Sequence, residues 1–460
     1  MDASYAFSKF IAELRYEDIP ENVVELVKLD IMDTLGCMLA GADNESVSKM
    51  IRVMRTQSDL TECRVFGRPG VKLAAADAAF VNGSATFVID YDDLCDPANL
   101  HIGAASVPVA LAMAEKLGGC TGKELITALT AGMEIACRLG IYMNRRIADE
   151  VMGGWDYIFL LGIFSAAAIA SKLMGLNEEQ IQNALGIAYH QAAGQSMSAR
   201  DKADTKIMGS GFACRAGILS AVMAAEGLTG AKNIFDEMPG SLANLYNSGV
   251  DRVALTAGLG TDFALKYLGF KAYPCCGNTQ RHIDAVLSLV REHAIRPEEI
   301  VEMRLHVAEM VYPMCVPYEQ TRAPKSMMAA QFNIPWTSAC AAARGRVSLA
   351  EFTDEAFSDP VLLGTAQKLI CIPDKDLANY REPALVEIET TRGTFSTHTS
   401  RFQTGHWAKP MTREALEAKF ADCCGLCSAK PAAETVAAIT KMIAGLDTLT
   451  DGRDLVALLP

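Results

Sequence analysis

Residues 164–175 read FSAAAIASKLMG, and residues 209–227 read GSGFACRAGILSAVMAAEG. Both stretches are rich in alanine, which has the highest intrinsic helix propensity, and each ends at a glycine, where helices commonly stop. Their small side chains allow neighbouring helices to approach closely. The two stretches therefore predict a tightly packed helical domain.

The same pattern extends through the first half of the chain. In residues 21–42 apolar side chains recur at three- and four-residue steps, which predicts one buried face of a helix. Thr121 with Glu124, and Asn177 with Gln180, have the spacing of capping boxes, so each pair predicts the start of a helix. The first half therefore reads as one helix after another.

The pattern changes in the second half. Residues 301–307 alternate between apolar and polar side chains, which predicts a half-buried strand. Residues 384–399 resemble a β-hairpin that turns near Arg392–Gly393. Helical patterns lie between them, at about 278–294 and 326–345.

These patterns predict a mainly α protein with a smaller α/β unit. We expect residues 1–268 and 405–460 to form an all-helical domain, and residues 269–404 to form the smaller α/β unit. The length of 460 residues agrees with two or three domains.

Composition excludes several classes of protein. The chain is 50% hydrophobic and 21% charged, which excludes a disordered protein. Its net charge of −13 and its lack of a basic run argue against a nucleic-acid partner, and any anionic substrate must be held by a few local cations. The longest near-apolar run, Tyr157–Ala170, is too short to span a membrane. Fourteen scattered cysteines and no evident signal peptide predict a cytoplasmic protein with reduced thiols.

The first candidate site is an acidic segment followed by a histidine. Asp90, Asp92, Asp93 and Asp96 precede His101 within twelve residues. Like charges at this density raise some pKa values, which suits general acid–base chemistry. Two alternatives are a solvated helix end and a divalent-cation site, although the order of the acids matches no EF-hand loop.

The second candidate is Lys206, in the segment DTKIMGSG at residues 204–211. We interpret Gly209 and Ser210 as part of a loop that opens the helix through residues 213–225. Free N–H groups at a helix N-terminus beside a lysine could bind a carboxylate. The alternative is an ordinary surface lysine.

The third candidate is Lys271, in the segment FKAYPCCGNT at residues 270–279. A strand is predicted to end here and a helix to begin near residue 278. Cys275 and Cys276 are poor candidates for a nucleophile, because no cysteine–histidine spacing supports a thiolate and buried inert thiols are commoner.

The fourth candidate is Asp156, in the segment GGWDY at the start of an apolar helix. An aspartate at this position is typical of a helix N-cap, and capping alone would explain it.

Eight phrases, in this order, resemble the MmgE/PrpD family over nearly the whole chain. The most informative are NGSATFVIDYDD followed by His101, TKIMGSGFACRAG, FKAYPCCGNT and PKSMMAAQFNIPW. The resemblance implies a helical domain with an α/β lid inserted before the C-terminal helices, and a homodimer. Known activities of the family are dehydration of 2-methylcitrate, decarboxylation of cis-aconitate and epimerisation of iminodisuccinate. All act on small polycarboxylates and need no metal or organic cofactor.

Four residues match the family's catalytic positions: Asp90, His101, Lys206 and Lys271. Asp156 stands where the family often has a histidine, and we count it as a fifth catalytic candidate. Gln280 likewise replaces a frequent histidine. The substrate contacts that we expect in addition are Asp93, Tyr91, Gly209, Ser210, Cys275 and Cys276.

The resemblance predicts a cofactor-independent hydro-lyase, a dehydratase that acts on a small hydroxy-di- or tricarboxylate. The two lysines would bind one substrate and stabilise an enediolate-like charge, while Asp90, His101 and Asp156 would handle protons. The alternatives are an epimerase of an amino- or imino-dicarboxylate, a decarboxylase of a cis-aconitate-like acid, and a binding protein that has lost the chemistry.

Overall fold

The computed structural model describes residues 2–144, 154–201, 203–235, 238–245 and 255–460. The chain divides into two compact units. The first comprises Met1–Val88, Asp92–Gly269 and Thr412–Pro460, and the second comprises Ile89–Tyr91 and Phe270–Met411. The predicted fold class is confirmed, since the first unit is almost entirely helical and the second combines helices with a four-stranded sheet.

The principal helices of the first unit are Ala3–Glu13, Glu21–Gly41, Glu45–Arg55, Ala75–Thr86, Gly103–Lys116, Gly122–Asn144, Tyr157–Leu173, Glu178–Gln191, Thr205–Ala225, Arg413–Leu426, Ala433–Ala444 and Arg453–Leu458. The short strands Cys63–Arg64 and Lys72–Leu73 pair in antiparallel fashion. Both predicted capping boxes are confirmed. In one, the Thr121 hydroxyl accepts the Glu124 N–H at 3.2 Å while Glu124 accepts the Thr121 N–H at 2.7 Å; the other joins Asn177 and Gln180.

Small residues set the spacing between the central helices, as the alanine- and glycine-rich stretches predict. A Cβ atom added at Gly217 would lie 2.3 Å from the Cβ of Ala166 on the neighbouring helix. One added at Gly211 would lie 2.3 Å from the carbonyl oxygen of Phe80. These distances are far below van der Waals contact, so only glycine permits the helices to pack this closely.

One local prediction for this unit is wrong. Gly209 and Ser210 lie inside the Thr205–Ala225 helix and not in a loop that precedes it. Glycine costs about 1 kcal/mol in a helix interior relative to alanine, which is why the sequence suggested a loop. Tertiary packing outweighs that cost: the Ser210 hydroxyl donates to the Gly83 carbonyl at 2.8 Å, and Gly211 accommodates Phe80.

The second unit is built on a four-stranded sheet. The strand order is Leu369–Asp374, Ile300–Ala308, Leu385–Thr390 and Gly393–His398. The first pair is parallel and the other two are antiparallel. The predicted strand at 301–307 and the predicted hairpin are confirmed, with a two-residue turn between Thr390 and Gly393.

Helices of the second unit include Gly277–His293, Ile334–Arg344 and Pro360–Gln367. The single helix expected over residues 326–345 is interrupted, because Met327–Gln331 ends before Asn333 caps the next helix by accepting the Trp336 N–H at 2.9 Å. The strand Leu369–Asp374 has no counterpart in the sequence prediction. The neighbouring strand Ile300–Ala308 supplies three fully buried side chains, Met303, Leu305 and Val307, which pack in the core of this unit with Trp336.

Two described helices, Gly122–Met143 and Thr205–Ala225, are long and apolar enough to cross a membrane by length and composition. In their most apolar windows 89% and 61% of the residues are buried within the protein. Core helices of globular proteins meet the same criteria, and burial of this extent is typical of them.

Candidate active site

The helical unit gathers two predicted catalytic residues around the ring of Phe87. The Nζ atom of Lys206 lies 4.0 Å from the centre of this ring, in cation–π geometry. The ring of His101 meets the same phenylalanine edge-on, with 5.8 Å between the ring centres. Lys206 is buried and His101 is partly exposed. The Lys206 ammonium and the His101 imidazole therefore both contact the ring of Phe87. Next to an apolar ring the effective dielectric constant is low, which strengthens the attraction between the ammonium and a bound anion.

Asp156 caps the Tyr157–Leu173 helix, as its position in the sequence predicts. Its Oδ1 atom accepts the Ile158 N–H at 3.1 Å. Burial raises the pKa of Asp156 to about 6, against the opposing effects of that hydrogen bond and of the Lys206 charge. Asp156 is thus both a cap and a carboxyl group that can exchange a proton near neutral pH, close enough to Lys206 to feel its charge.

The contacts of His101 identify which ring nitrogen carries the proton when the imidazole is neutral. Its Nδ1 atom is in hydrogen-bond contact with the backbone carbonyl of Asp93 and lies 3.7 Å from Oδ2 of Asp92. A carbonyl oxygen only accepts hydrogen bonds, so Nδ1 must donate. Nε2 is then the nitrogen with the lone pair, and it is the atom that can take a proton from a substrate.

The carboxylate of Asp93 is directed at the backbone. It accepts the N–H groups of Ile102 and Gly103, each at 2.9 Å, at the start of the Gly103–Lys116 helix, and Asp93 is fully buried. These bonds fix the segment that carries His101. The observed contacts therefore place Asp93 in support of the segment that carries His101, and the substrate contact expected of Asp93 stays a prediction.

Three buried charged residues that the sequence analysis did not single out, Asp30, Asp33 and Lys419, join Asp92 and Asp93 in one group. Asp30, Asp33, Asp92 and Asp93 are all buried, and Lys419 forms an ion pair with Asp33 at 2.6 Å. We call these five residues the aspartate cluster. Asp30 and Asp33 interrupt the apolar pattern of the Glu21–Gly41 helix on its buried side, and that interruption is the signal that the sequence offered.

Burial raises the pKa of Asp30 well above its usual range, and Asp93, Asp33 and Asp92 raise it further. Desolvation, followed by the charges of Asp92 and Asp33, has the same effect on the pKa of Asp93. The folded state thus favours the protonated form of both carboxyls. The two carboxyls contribute fully to the free energy of unfolding below the pKa of an aspartate in the unfolded chain, near 3.9. This contribution is lost as the pH rises through their pKa in the folded state.

We expect Asp30→Asn to weaken the pH dependence of stability, because it removes one of these carboxyls and keeps its shape. Between pH 5 and pH 9 the free energy of unfolding should fall less in the variant than in the wild type, by at least about 1 kcal/mol, which corresponds to roughly one pKa unit. Urea unfolding at several pH values measures it. Asp59→Asn, at an exposed position of the same unit, is the control and should keep the wild-type slope; an equal slope in Asp30→Asn would contradict the expectation.

The second unit brings together another set of predicted residues. The Nζ atom of Lys271 donates to the backbone carbonyl of Asp90 at 3.0 Å and lies 3.4 Å from its Oδ1 atom. Both side chains are at most 4% exposed. The Tyr91 hydroxyl donates to the Ala272 carbonyl at 3.1 Å, and the Gln331 amide donates to the Ile89 carbonyl at 2.5 Å. The segment Ile89–Tyr91 is therefore held beside Lys271, which the sequence did not indicate.

The contacts of Cys275 and Cys276 bear on whether either residue could act as a nucleophile. Cys275 is fully buried, its Sγ atom accepts the Thr279 hydroxyl at 3.0 Å, and burial raises the pKa of its thiol. Cys276 is partly exposed, and its backbone N–H donates to the Gln331 carbonyl at 3.0 Å. A thiolate nucleophile needs a lowered pKa, so Cys275 is a poor candidate for a nucleophile, as the sequence analysis predicts.

Gln280, which stands where the family often has a histidine, ties down the loop before its helix. Its amide nitrogen donates to the carbonyls of Tyr273 and Cys275 at 2.8 and 3.0 Å, and the side chain is buried. In both hydrogen bonds the Gln280 amide is the donor. Gln280 thus holds the loop that follows Lys271 in place, and this role does not need the proton exchange that a histidine could provide.

Gly209 and Ser210, predicted to contact substrate, serve the packing behind Lys206. A Cβ atom at Gly209 would lie 1.9 Å from the ring of Phe159, so glycine makes room for that ring. Phe159 in turn meets Phe87 edge-on at 6.4 Å. Within the described part of the chain no group of three or more histidine, cysteine or acidic side chains is arranged to hold a metal ion.

The helical unit holds a buried lysine, a histidine and a carboxyl of raised pKa, and the α+β unit holds a second buried lysine. The chain belongs to the MmgE/PrpD family: the MmgE/PrpD N-terminal domain matches residues 5–251 and the MmgE/PrpD C-terminal domain matches residues 273–443. The resemblance read from the sequence is thereby confirmed, and the chain is an enzyme of the MmgE/PrpD type.

Three relatives of the chain are cis-aconitate decarboxylases. The chain is 28% identical over 422 residues to the cis-aconitate decarboxylase of Mus musculus, and the alignment covers 90% of this chain and 85% of the relative. It is 27% identical to the cis-aconitate decarboxylase of Homo sapiens over 465 residues, 99% of this chain and 94% of the relative. It is also 27% identical to that of Aspergillus terreus over 475 residues, 97% and 94% of the two chains.

Proposed function

We propose that the protein is a cofactor-independent lyase that removes water from a small hydroxy-di- or tricarboxylate. One observation carries the proposal: Lys206 and His101 share the ring of Phe87, beside an Asp156 carboxyl whose pKa is raised to about 6. This set supplies a cation for a carboxylate, an imidazole base and a carboxyl group of suitable proton affinity.

The reaction that we assign to these groups has two proton transfers. Nε2 of His101 takes the proton from the carbon next to a carboxylate, and the electron pair of that C–H bond forms the new C=C bond. The C–O bond to the hydroxyl breaks, and protonated Asp156 donates its proton to the leaving oxygen, which departs as water. Lys206 holds the carboxylate on which enediolate-like charge develops, and its ammonium stabilises that charge in a water-poor site.

Decarboxylation of a cis-aconitate-like acid is the second candidate, and the printed activity of the relatives favours it. In that reaction a C–C bond breaks, carbon dioxide leaves, and a protonated group delivers a proton to the carbanion that remains. Protonated His101 or Asp156 has the required chemistry. Asp156 stands where we expect a histidine in many family members, and this substitution is why we rank decarboxylation second.

Proton NMR in heavy water separates the candidate reactions with one set of samples. 2-Methylcitrate, malate, cis-aconitate and aspartate are incubated with the purified protein. Dehydration gives new olefinic signals and released water, whereas decarboxylation gives carbon dioxide in the headspace. Epimerisation, the third possibility that the resemblance raises, introduces deuterium at Cα without loss of mass. Turnover of none of these acids, with the protein shown to be folded, would reject the proposal.

Asp156 is predicted to select substrates by charge. Because its pKa is about 6, Asp156 is mostly ionised in the free protein above that pH, and its protonated form is the minor form that donates to the leaving oxygen. The ionised form repels a third substrate carboxylate and attracts an ammonium group, so we expect dicarboxylates or amino-dicarboxylates to be preferred over tricarboxylates. Asp156→Asn keeps the helix cap, because asparagine also accepts the Ile158 N–H. It should raise the ratio of kcat/KM for tricarboxylate over dicarboxylate by about tenfold, one charge interaction of about 1.4 kcal/mol.

The selectivity ratio is measured by competition of 2-methylcitrate with malate in wild type and variant. Asp204→Asn, which changes an acid just before the Lys206 helix, is the matched control and should leave the ratio unchanged. Rapid turnover of 2-methylcitrate by the wild type, unaffected by Asp156→Asn, would disprove the charge-selection hypothesis.

A homodimer and a cytoplasmic location stay predictions from the resemblance and the composition.

A further inference from the structure

Two residues of the aspartate cluster contact Nδ1 of His101: Asp93 through its backbone carbonyl and Asp92 through its carboxyl. The other charged groups on the elements packed around this segment are Asp30 and Asp33 of the Glu21–Gly41 helix, Lys419 of the Arg413–Leu426 helix, Lys206 across Phe87, and Asp156 beside Lys206. The charge next to Nδ1 therefore depends on the protonation of these carboxyls.

The contacts divide these carboxyls into distinct states. Asp33 is neutralised by Lys419 at 2.6 Å. The carboxyl group of Asp93 accepts two backbone N–H groups at a helix start. Neither oxygen of Asp30 has a hydrogen-bond partner among the described residues, although the residue is fully buried. An isolated charge in such a position is very costly, so Asp30 keeps its proton.

Gly103 lies against three oxygen atoms of this region. A Cβ atom built on Gly103 would meet Oδ2 of Asp30 and Oδ1 of Asp93, each at 2.9 Å, and the Thr34 hydroxyl at 2.3 Å. These oxygens therefore line one small polar hollow over Gly103. The carboxyl group within ion-pair distance of Nδ1 of His101 is that of Asp92, whose Oδ2 atom lies 3.7 Å away.

We propose that Asp92 is a positioning residue: together with the Asp93 carbonyl it keeps Nδ1 of His101 protonated and favours the doubly protonated ring. Oδ2 of Asp92 is 3.7 Å from Nδ1 and is buried, where a negative charge stabilises an adjacent imidazolium far more than in water. Asp92 thereby makes Nε2 a stronger base. The use of that base on substrate rests on the proposed function, whereas the tautomer and the proton affinity do not.

Nitrogen NMR of the folded protein tests the proposal without any substrate. The seven histidines are labelled with ¹⁵N, and His101→Gln identifies the signals of His101. In the wild type we expect the neutral ring to carry its proton on Nδ1. In Asp92→Asn the titration midpoint of His101 should fall by about 1 to 3 pH units, the usual effect of removing an opposite charge at this distance.

Asp30→Asn is the matched control, because it changes a carboxyl of the same cluster that is already neutral. It should leave the midpoint of His101 where it is in the wild type. An Nε2-protonated ring in the wild type, an unchanged midpoint in Asp92→Asn, or an equal fall in Asp30→Asn would each overturn the proposal. If Asp92→Asn does not fold, the wild-type tautomer and the titration of Asp92→Glu still decide.

A kinetic measurement separates this inference from the proposed function. The acid limb of kcat/KM against pH should move to lower pH in Asp92→Asn by the same amount as the NMR midpoint. An NMR shift in a protein that turns over no polycarboxylate supports the positioning role and rejects the function. Turnover with an acid limb that does not follow the NMR midpoint rejects the link between Asp92 and the base.

Discussion

Replacing Lys206 by methionine should lower kcat/KM for the polycarboxylate substrate by about 10²- to 10³-fold, the usual loss when one preorganised charge-stabilising donor is removed. Methionine keeps most of the length and apolar stem that packs on Phe87 and removes only the ammonium group 4.0 Å from the ring centre. We expect the loss in kcat as well as in KM, because the charge that Lys206 stabilises develops in the transition state. Steady-state kinetics by ultraviolet absorbance or NMR measures it.

Urea unfolding of the variant shows whether it is folded, so that a loss of kcat/KM can be assigned to the missing ammonium group. Lys232→Met is the matched control: this lysine lies in the same unit, is 40% exposed and makes a 3.4 Å ion pair with Glu179. An exposed pair of this kind contributes about 0–1 kcal/mol, and kcat/KM should stay at the wild-type value. Wild-type kinetics in Lys206→Met, with the protein folded, would remove the central residue of the proposed site.

Lys271→Met is expected to have two effects at once. It leaves the buried carboxyl of Asp90 without its cation 3.4 Å away, and breaking a buried pair from one side costs about 3–5 kcal/mol. It also removes a lysine that the family resemblance assigns to substrate binding, so kcat/KM should fall by about 10²-fold or more. Urea unfolding and steady-state kinetics measure the two effects separately.

The double variant Asp90→Asn with Lys271→Met distinguishes folding from chemistry. It removes both charges of the pair, so most of the lost stability should return. Activity should not return, because the ammonium is still absent. Lys409→Met, which breaks an exposed 3.3 Å pair with Asp284 in the same unit, is the control and should change neither quantity much. Recovery of activity in the double variant would mean that Lys271 only supports the fold.

Periodicity and small residues predicted most of the helical architecture, because these signals are local. Residues 21–42 and both capping boxes fold as their patterns indicate. The interior position of Gly209 could not be predicted, since its local preference for a loop is overridden by the ring of Phe159 from another helix. Contacts between distant segments decide such positions, and one sequence does not contain them.

The candidate site shows the same division. Asp156 as a helix cap follows from its place before an apolar run, and the structure has that hydrogen bond. The aspartate cluster joins Asp92 and Asp93 to Asp30 and Asp33, which lie about sixty residues earlier in the chain, and to Lys419, more than three hundred residues later. Only the buried acids in an otherwise apolar helix pointed toward it.

The grouping of Ile89–Tyr91 with Phe270–Met411 has a consequence for protein engineering. A chimera that exchanges only residues 270–411 with a homologue would leave Asp90 in the recipient while it imports a foreign Lys271 and Ala272. The imported lysine would then face a carboxyl and a tyrosine from a different lineage. Grafts of this module should therefore carry the tripeptide at 89–91 along with the long segment.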